Sequence, residues 1–432
     1  MLRGYGVIAG GTNQPLYVID GVPLSDSRFG STNNNDFGNA SGDINPYDIE
    51  TITLLKGTEA ASLYGSSAKN GVIMITTKRG KAGKLKIEYN GSANFSQVGK
   101  LPEFQKTFGQ GWSGVFILSE NGSWGPKLDG KNRLWGSVVD NSQLLKPFSF
   151  VKNNIRDFYN TGTEYNNTIS LSGGGELTNF YFSYGNVTSD GVLPTQSDYL
   201  QRNTFALRTN SKFGKFTINT SFNYVNKEVN APFTGQAGSD GASIFSEILQ
   251  IPVDIKISDF RDYKNKFFNV DNYFTPFAEN PYYPLYENGN AQNSDRFFGN
   301  LDASYKFSNE FSAQLRVGGD FNNARTFGYK AVNAPGPGSW TDGGNPEGQS
   351  RAADVGSVSE LNNFLGVING DFILKYNKDV NKNISIEALA GCNYNQQNQK
   401  AVAASITNLV IPGFYNLSNS SVKSTASDAK AL

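Results

Sequence analysis

The chain has 432 residues, 38 Lys+Arg against 38 Asp+Glu, no histidine and one cysteine, Cys392. Zero net charge offers no pull toward nucleic acid, and the missing imidazoles exclude histidine triads, HExxH metal sites and histidine proton shuttles. A single cysteine excludes a disulfide or zinc cluster within the chain.

Aromatics are abundant, with 31 Phe and 21 Tyr beside 47 Gly, a mix that suits a β protein carrying aromatic girdles. No apolar run approaches the roughly 20 residues of a membrane-spanning helix. That leaves membrane strands open, because their alternating faces average to polar. The start, MLRGYGVIAGG, lacks the apolar core and cleavage site of a secretory signal, so a protein working beyond the inner membrane is expected to have lost its original N-terminus here.

Residues 1–80 read as a small α+β block. Leu16 to Ile19 is a short buried strand ended by an Asp20-Gly21 turn, and 25–43, rich in Ser, Asn, Gly and Asp, is a loop. Asn45 is placed to cap a helix, with Pro46 in its first position and Asp48 and Glu50 in its first turn. A strand follows at 51–55, then a short helix from Thr58 to Leu63, an Asn70-Gly71 turn, and a β-prone run from Val72 to Thr77.

From Leu85 the pattern changes to strict alternation. Leu85, Ile87, Tyr89, Gly91, Ala93 and Phe95 alternate with polar neighbours over about 12 residues, a period of two. Strands of soluble sandwiches average about 5–6 residues, whereas tilted membrane strands need about 9–11. The pattern recurs at 216–224, 297–307, 311–320 and 384–394, and more weakly near 166–173, 178–187, 202–210 and 364–377. This predicts roughly nine strands.

The connections near 212–214, 308–310 and 377–383 are short, while those at about 97–165, 226–295 and 323–361 are long. Sorting short turns to one rim and long loops to the other is the asymmetry of outer-membrane barrels. Barrels that hold a plug have about 22 strands, and the chain ends in a polar tail, SDAKAL, with no membrane strand expected in it. The expectation is a fragment: mainly β, the later part of a plug (1–80) followed by the first part of a transmembrane antiparallel barrel (81–432).

The segments LYVIDGVPL (16–24) and INPYDIETITLLKGTEAASLYGSSAKNGVIMITTKRG (44–80) resemble the plug of SusC/RagA-type TonB-dependent outer-membrane transporters. The segments ILQIPVDIK (248–256) and ENPYY (279–283) resemble the first long extracellular region of that branch. The resemblance implies energised import of an oligosaccharide, or in some members a peptide, across the outer membrane of a Bacteroidetes-type bacterium. The implied partners are a SusD-like surface lipoprotein acting as a lid, the TonB–ExbB–ExbD complex, and outer-membrane lipid. No cofactor is implied. Two rivals remain: a secreted β-rich glycan-binding or adhesion module, and a carboxylate glycosidase.

No catalytic set or metal set emerges. Asp20, Asp48, Glu50 and Glu59 are the carboxylates of the first block. A glycosidase needs two of them about 5–10 Å apart across a cleft, and no such pair is identifiable. Capping and bonding to basic wall residues is the simpler role, which makes Asp48, Glu50 and Glu59 the candidate plug–barrel contacts. Asn33-Asn34-Asn35-Asp36 is oxygen-rich but lacks EF-hand spacing and reads as a polar loop. Lys56-Gly57 and Gly173-Gly174-Gly175 read as turns. Trp112, Trp124, Trp135, Trp340 and the Tyr282-Tyr283 pair sit in long connections. Loop packing is their simpler role. Stacking on sugar rings or burial under a lid is the alternative, and they are the substrate-site candidates.

Overall fold

The computed structural model describes residues 14–24, 36–56, 64, 68–232, 244–333, 354–381 and 384–431. The short apolar runs of the first block build one sheet from β1 (Leu16–Ile19), β2 (Val22–Leu24), β3 (Ile49–Leu55) and β4 (Val72–Thr77), in the order β2-β1-β4-β3. β1 and β4 run parallel, with Leu16 opposite Val72 and Ile19 opposite Ile75. Val18 and Val72 are fully buried at their junction. Asp20 and Gly21 turn β1 into β2 with φ values of 48° and 87°, the positive pair that a two-residue hairpin needs.

The Asn45 cap forms, its side chain accepting from the Tyr47 amide, but the helix is a single 3-10 turn, Pro46–Asp48. The β-prone run begins at Ile49 and takes over the backbone, so Glu50 lies on β3. The expected Thr58–Leu63 helix falls outside the described residues.

The alternating segments build the wall: β5 (Gly83–Ser96), β8 (Gly162–Gly174), β9 (Thr178–Asp190), β10 (Tyr199–Phe213), β11 (Phe216–Asn230), β12 (Gly289–Lys306), β13 (Phe311–Asn333), β14 (Asp354–Asn381), β15 (Ile384–Thr407) and β16 (Thr425–Ala431). A separate hairpin, β6 (Asn132–Val139) and β7 (Ser142–Pro147), stands in the first long connection. The wall is one meander, each strand antiparallel to the next, with β5 and β16 at its edges. It holds ten strands among the described residues, one more than expected. Connections alternate strictly: 175–177, 214–215 and 307–310 are short, whereas 97–161, 231–288 and 334–353 are long.

The two faces of the wall differ as the alternation requires. Leu85, Ile87, Phe205, Phe222, Phe297, Leu301, Leu315, Phe321, Ile368 and Tyr394 all lie on one face and are exposed. Their strand neighbours Ser170, Ser183, Arg208, Asn223, Arg296, Asp320 and Asn369 are buried. Such a belt is what strands meeting hydrocarbon carry.

Strands also run further than the alternation predicted. β13 continues to Asn333 and β14 starts at Asp354, well inside the loop expected at 323–361. There the outward positions are mixed: Arg325 bonds Glu360 across the pair, while Phe327, Tyr329 and Val358 cluster with Ile406 and Leu409. The outward face there is partly covered by Leu409, Tyr415 and Leu417 instead of continuing the exposed belt, so the hydrogen-bonded ladder persists while the regular exposed apolar period is interrupted. The polar tail behaves likewise: Thr425–Ala431 pairs with Gln399–Ser405 as β16, although no membrane strand was expected there.

Leu301 lies mid-strand in the exposed belt. Leu301→Arg is expected to cost about 2–4 kcal/mol in a bilayer, measured by equilibrium unfolding in lipid vesicles. The same charge at a water-facing position such as Asn362 is expected to cost little.

Candidate functional site: the plug–wall interface

The first sheet sits against the polar face of β8 to β14. One part of the contact is apolar: Ile19, Leu24 and Ile75 pack with Val225 of β11 and Phe298 of β12. Around it lie polar clamps, most of them on the segment 40–48. That segment is built from two 3-10 turns, Ala40–Asp43 and Pro46–Asp48, which leave several backbone carbonyls and two carboxylates pointing outward for partners to satisfy.

The wall satisfies them. Asp43 accepts from Lys227 Nζ at 2.9 Å with one oxygen and from Arg296 Nη1 at 3.0 Å with the other. Arg296 also donates to the carbonyl of Ala40 and makes a two-pronged bond to Asp320 on β13, both arms 2.8 Å. Arg202 donates to the carbonyl of Gly42. Asp48 accepts from Tyr181 and Ser183 of β9, each at 2.8 Å, and faces Arg208 of β10 at 3.7 Å. Asn45 donates to Thr168 of β8 at 3.2 Å. A third carboxylate, Asp20, bonds the Thr77 amide and hydroxyl and accepts from Ser221 of β11.

Most of these charges are buried. Arg296, Asp320, Arg208, Asp43 and Asp48 each retain 4% or less of their surface. Charges in such surroundings persist only when paired and hydrogen-bonded, so the carboxylates of the first block and the cations of the wall hold one another in place. Two glycines mark the closest approach. A Cβ on Gly185 would meet the Asn45 and Thr204 side chains at under 3 Å, and one on Gly318 would meet Val22.

Of the expected plug contacts, Asp48 is at the centre of this interface. Glu50 is exposed and has no ion pair with the wall among the described residues. Glu59 lies outside the described residues. The sequence reading missed Asp43, which it left in a loop, and the wall cations. Their signal was present: Arg202, Arg208, Lys227, Arg296 and Arg316 all occur at the polar phase of the alternation, where most other residues are uncharged.

The long loops hold the aromatic candidates, and they separate. The loops 97–161 and 231–288 share a hydrophobic core that includes Trp135, Phe158, Ile248, Ile255, Phe260 and Tyr282. Trp135 lies edge-on to Phe260 at 6.2 Å, and Tyr282 is 4.8 Å from Phe158. Tyr283 is buried in a neighbouring cluster with Val270 and Ala331. These three side chains face protein rather than solvent. Trp112 and Trp124 are instead exposed, and one tight loop brings them together: the Trp124 amide donates to Gly111, and the Trp112 amide donates to Val115. Phe108 stands 6.2 Å from Trp124. Trp340 lies outside the described residues.

Polar bonds tie the two loops together. Asp254 accepts from the Gln110 amide at 2.7 Å and from Lys146 of β7. Burial pulls the Lys146 ammonium below its ordinary pKa, against the raising effect of Asp254 beside it. Asn154 bridges Ile255 and Ile257.

Arg296→Met removes the shared partner of Asp43 and Asp320. It is expected to loosen the first sheet by about 3–5 kcal/mol, read as the urea concentration at which protease cleaves within 40–48. Gly185→Val is expected to shift the same midpoint downward, by displacing Asn45, without altering the secondary structure of the wall by circular dichroism.

The TonB-dependent Receptor Plug Domain family matches residues 1–72. The TonB-dependent receptor SusC of Bacteroides thetaiotaomicron is 28% identical over 345 residues, covering 74% of this chain and 30% of its own length. The TonB-dependent receptor P26 of Formosa agariphila is 25% identical over 434 residues, covering 97% of this chain and 38% of its own. The chain thus spans about a third of the length of these relatives. Among solved structures, the RagAB peptide importer in its open-open state superposes with a TM-score of 0.67 at 17% identity, over 98% of this chain and 46% of that one; this likeness speaks for the fold. These relatives are receptors and transporters, not enzymes. With a plug sheet seated on an antiparallel barrel-type wall, the chain is similar in sequence to TonB-dependent receptors such as SusC and in fold to the RagAB importer.

Proposed function

We propose that the chain serves TonB-dependent import of a nutrient across the outer membrane, with an oligosaccharide as the first choice of cargo and a peptide as the second. The observation that carries this reading is the construction of the seat. Apart from one apolar patch, the plug is held to the wall by hydrogen bonds and ion pairs around Asp43 and Asp48. Directional contacts of this kind break over a small displacement and re-form with water, so a plug seated on them yields to a pull without unfolding the wall.

In this reading residues 1–80 are the plug and 81–432 belong to the barrel. The exposed apolar belt supports an outer-membrane location and counts against a secreted adhesion module, which would bury that face. TonB, energised by ExbB and ExbD, supplies the pull. The exposed Trp112–Trp124 pair offers ring faces for a sugar, and the rigid two-loop body is a base on which a SusD-like lipoprotein closes. Asp48 acts as a plug–barrel contact; the roles proposed for Glu50 and Glu59 are secondary.

The test is a reversible lock. In cells producing the protein with Cys392→Ser, Asn45→Cys and Thr168→Cys are joined across the plug–wall contact by a short bis-methanethiosulfonate reagent, each thiolate displacing a sulfinate to form a disulfide that a reductant later cleaves. Cargo uptake is expected to stop on bridging and recover on reduction. Uptake that continues through the bridged protein overturns the reading. Trp112→Ala with Trp124→Ala is expected to weaken capture of an oligosaccharide cargo by about 10- to 100-fold, at about 1–3 kcal/mol in total for two aromatic contacts, measured by whole-cell binding.

A further inference from the structure

We propose that the wall cations gripping segment 40–48 form a binding cradle for an oxyanion of the passing cargo, and that Asp43 and Asp48 occupy this cradle at rest. The inference rests on the reading that the plug is displaced during import. Four cations converge on the segment from three adjacent strands: Arg202 and Arg208 of β10, Lys227 of β11 and Arg296 of β12. Among the described residues, the one wall carboxylate bonded into this group is Asp320, held by Arg296. The two remaining carboxylates in the cluster, Asp43 and Asp48, both belong to the plug. Once the plug shifts, the cradle loses both and keeps its cations.

A second observation points the same way. Arg208 is 3% exposed, yet its Nε and Nη1 have no hydrogen-bond partner among the described residues, and neither has Arg202 Nε. Asp48 stands 3.7 Å from Arg208, outside a close hydrogen bond. A void of about 10 Å³ adjoins Arg208, Asp43 and Asp48. The plug therefore fills the cradle incompletely, leaving guanidinium donors that a freer oxyanion would satisfy. Tyr181 and Ser183, which donate to Asp48, would donate equally to a carboxylate that replaced it. The ligand class is a carboxylate-bearing chain, such as an acidic sugar or an acidic peptide. Guanidinium and carboxylate match in two-pronged geometry.

The protein is reconstituted in planar bilayers and the plug is released with urea, with citrate as the probe. Wild-type protein is expected to open a conductance that citrate blocks. Arg208→Gln with Lys227→Gln is expected to weaken that block about tenfold, the scale of one charge-assisted bond, and to shift the reversal potential toward cation selectivity. Lys227→Gln alone, whose loss leaves Asp43 still bound by Arg296, is expected to show the same direction and covers the case in which the double variant does not fold. Asp43→Asn with Asp48→Asn is expected to lower the urea needed for opening while leaving citrate block unchanged. A conductance that opens with identical block and reversal potential in wild type and Lys227→Gln overturns the cradle and leaves the import reading intact. Failure of any conductance to open on plug release overturns both.

Discussion

One guanidinium joins the two halves of this molecule. Arg296 sits almost wholly out of water, bonded to Asp43 and the Ala40 carbonyl on the plug side and to Asp320 on the wall side. Burying an isolated ion costs several kcal/mol, so each partner is stable only while the others remain. The arrangement makes the seat conditional. With the plug in place every member is neutralised, and with the plug displaced Asp320 still keeps Arg296 from standing alone. An interface of apolar side chains would have no such intermediate state, because its stability falls in proportion to the area exposed.

The wall answers to two environments, and the register of each strand decides which side chain meets which. A slip of one residue in β12 would put Arg296 and Asp302 on the belt and Phe297 and Leu301 against the plug. The long ladder, with Gly289 opposite Tyr329 and Lys306 opposite Ser312 along the whole of β12, leaves little freedom for that slip. Within this frame the plug approaches most closely at Gly185 and Gly318, where the wall carries no side chain to push it away.

Strand identity was legible in the sequence wherever one face meets an apolar environment, as from Leu85 to Phe95 or Phe216 to Tyr224. It faded at 323–333 and 354–363, where polar outward residues such as Arg325 and Glu360 interrupt the apolar ones and Tyr329 and Val358 pack under a neighbouring segment, while the backbone ladder remains. The hairpin turn at Asp20-Gly21 and the Asn45 cap were readable from local chemistry. Asp48 was recognisable as a contact because it follows that cap, whereas Asp43 lay in a stretch dominated by loop-forming residues. The pairing of Asp43 with Arg296, 253 positions away, has no local signature at all. The aromatics of the long loops could not be sorted from sequence into packed and exposed ones for a related reason. The apolar run from Ile248 to Phe260 builds a core that draws in Trp135 and Tyr282, in keeping with loop packing, whereas Trp112 and Trp124 stay exposed.

That core changes what the two long connections are. Segments 97–161 and 231–288 are stapled through Gln110, Lys146 and Asp254 and through Asn154 with Ile255, so neither carries its shape by itself. Recombination or grafting that exchanged one of them between related proteins would strand half a core and an unmatched carboxylate. Heritable variation in these connections is therefore channelled into paired exchanges of both segments, or into the small exposed patch around Trp112 and Trp124, where a substitution changes what is presented to solvent and leaves the core beneath it undisturbed.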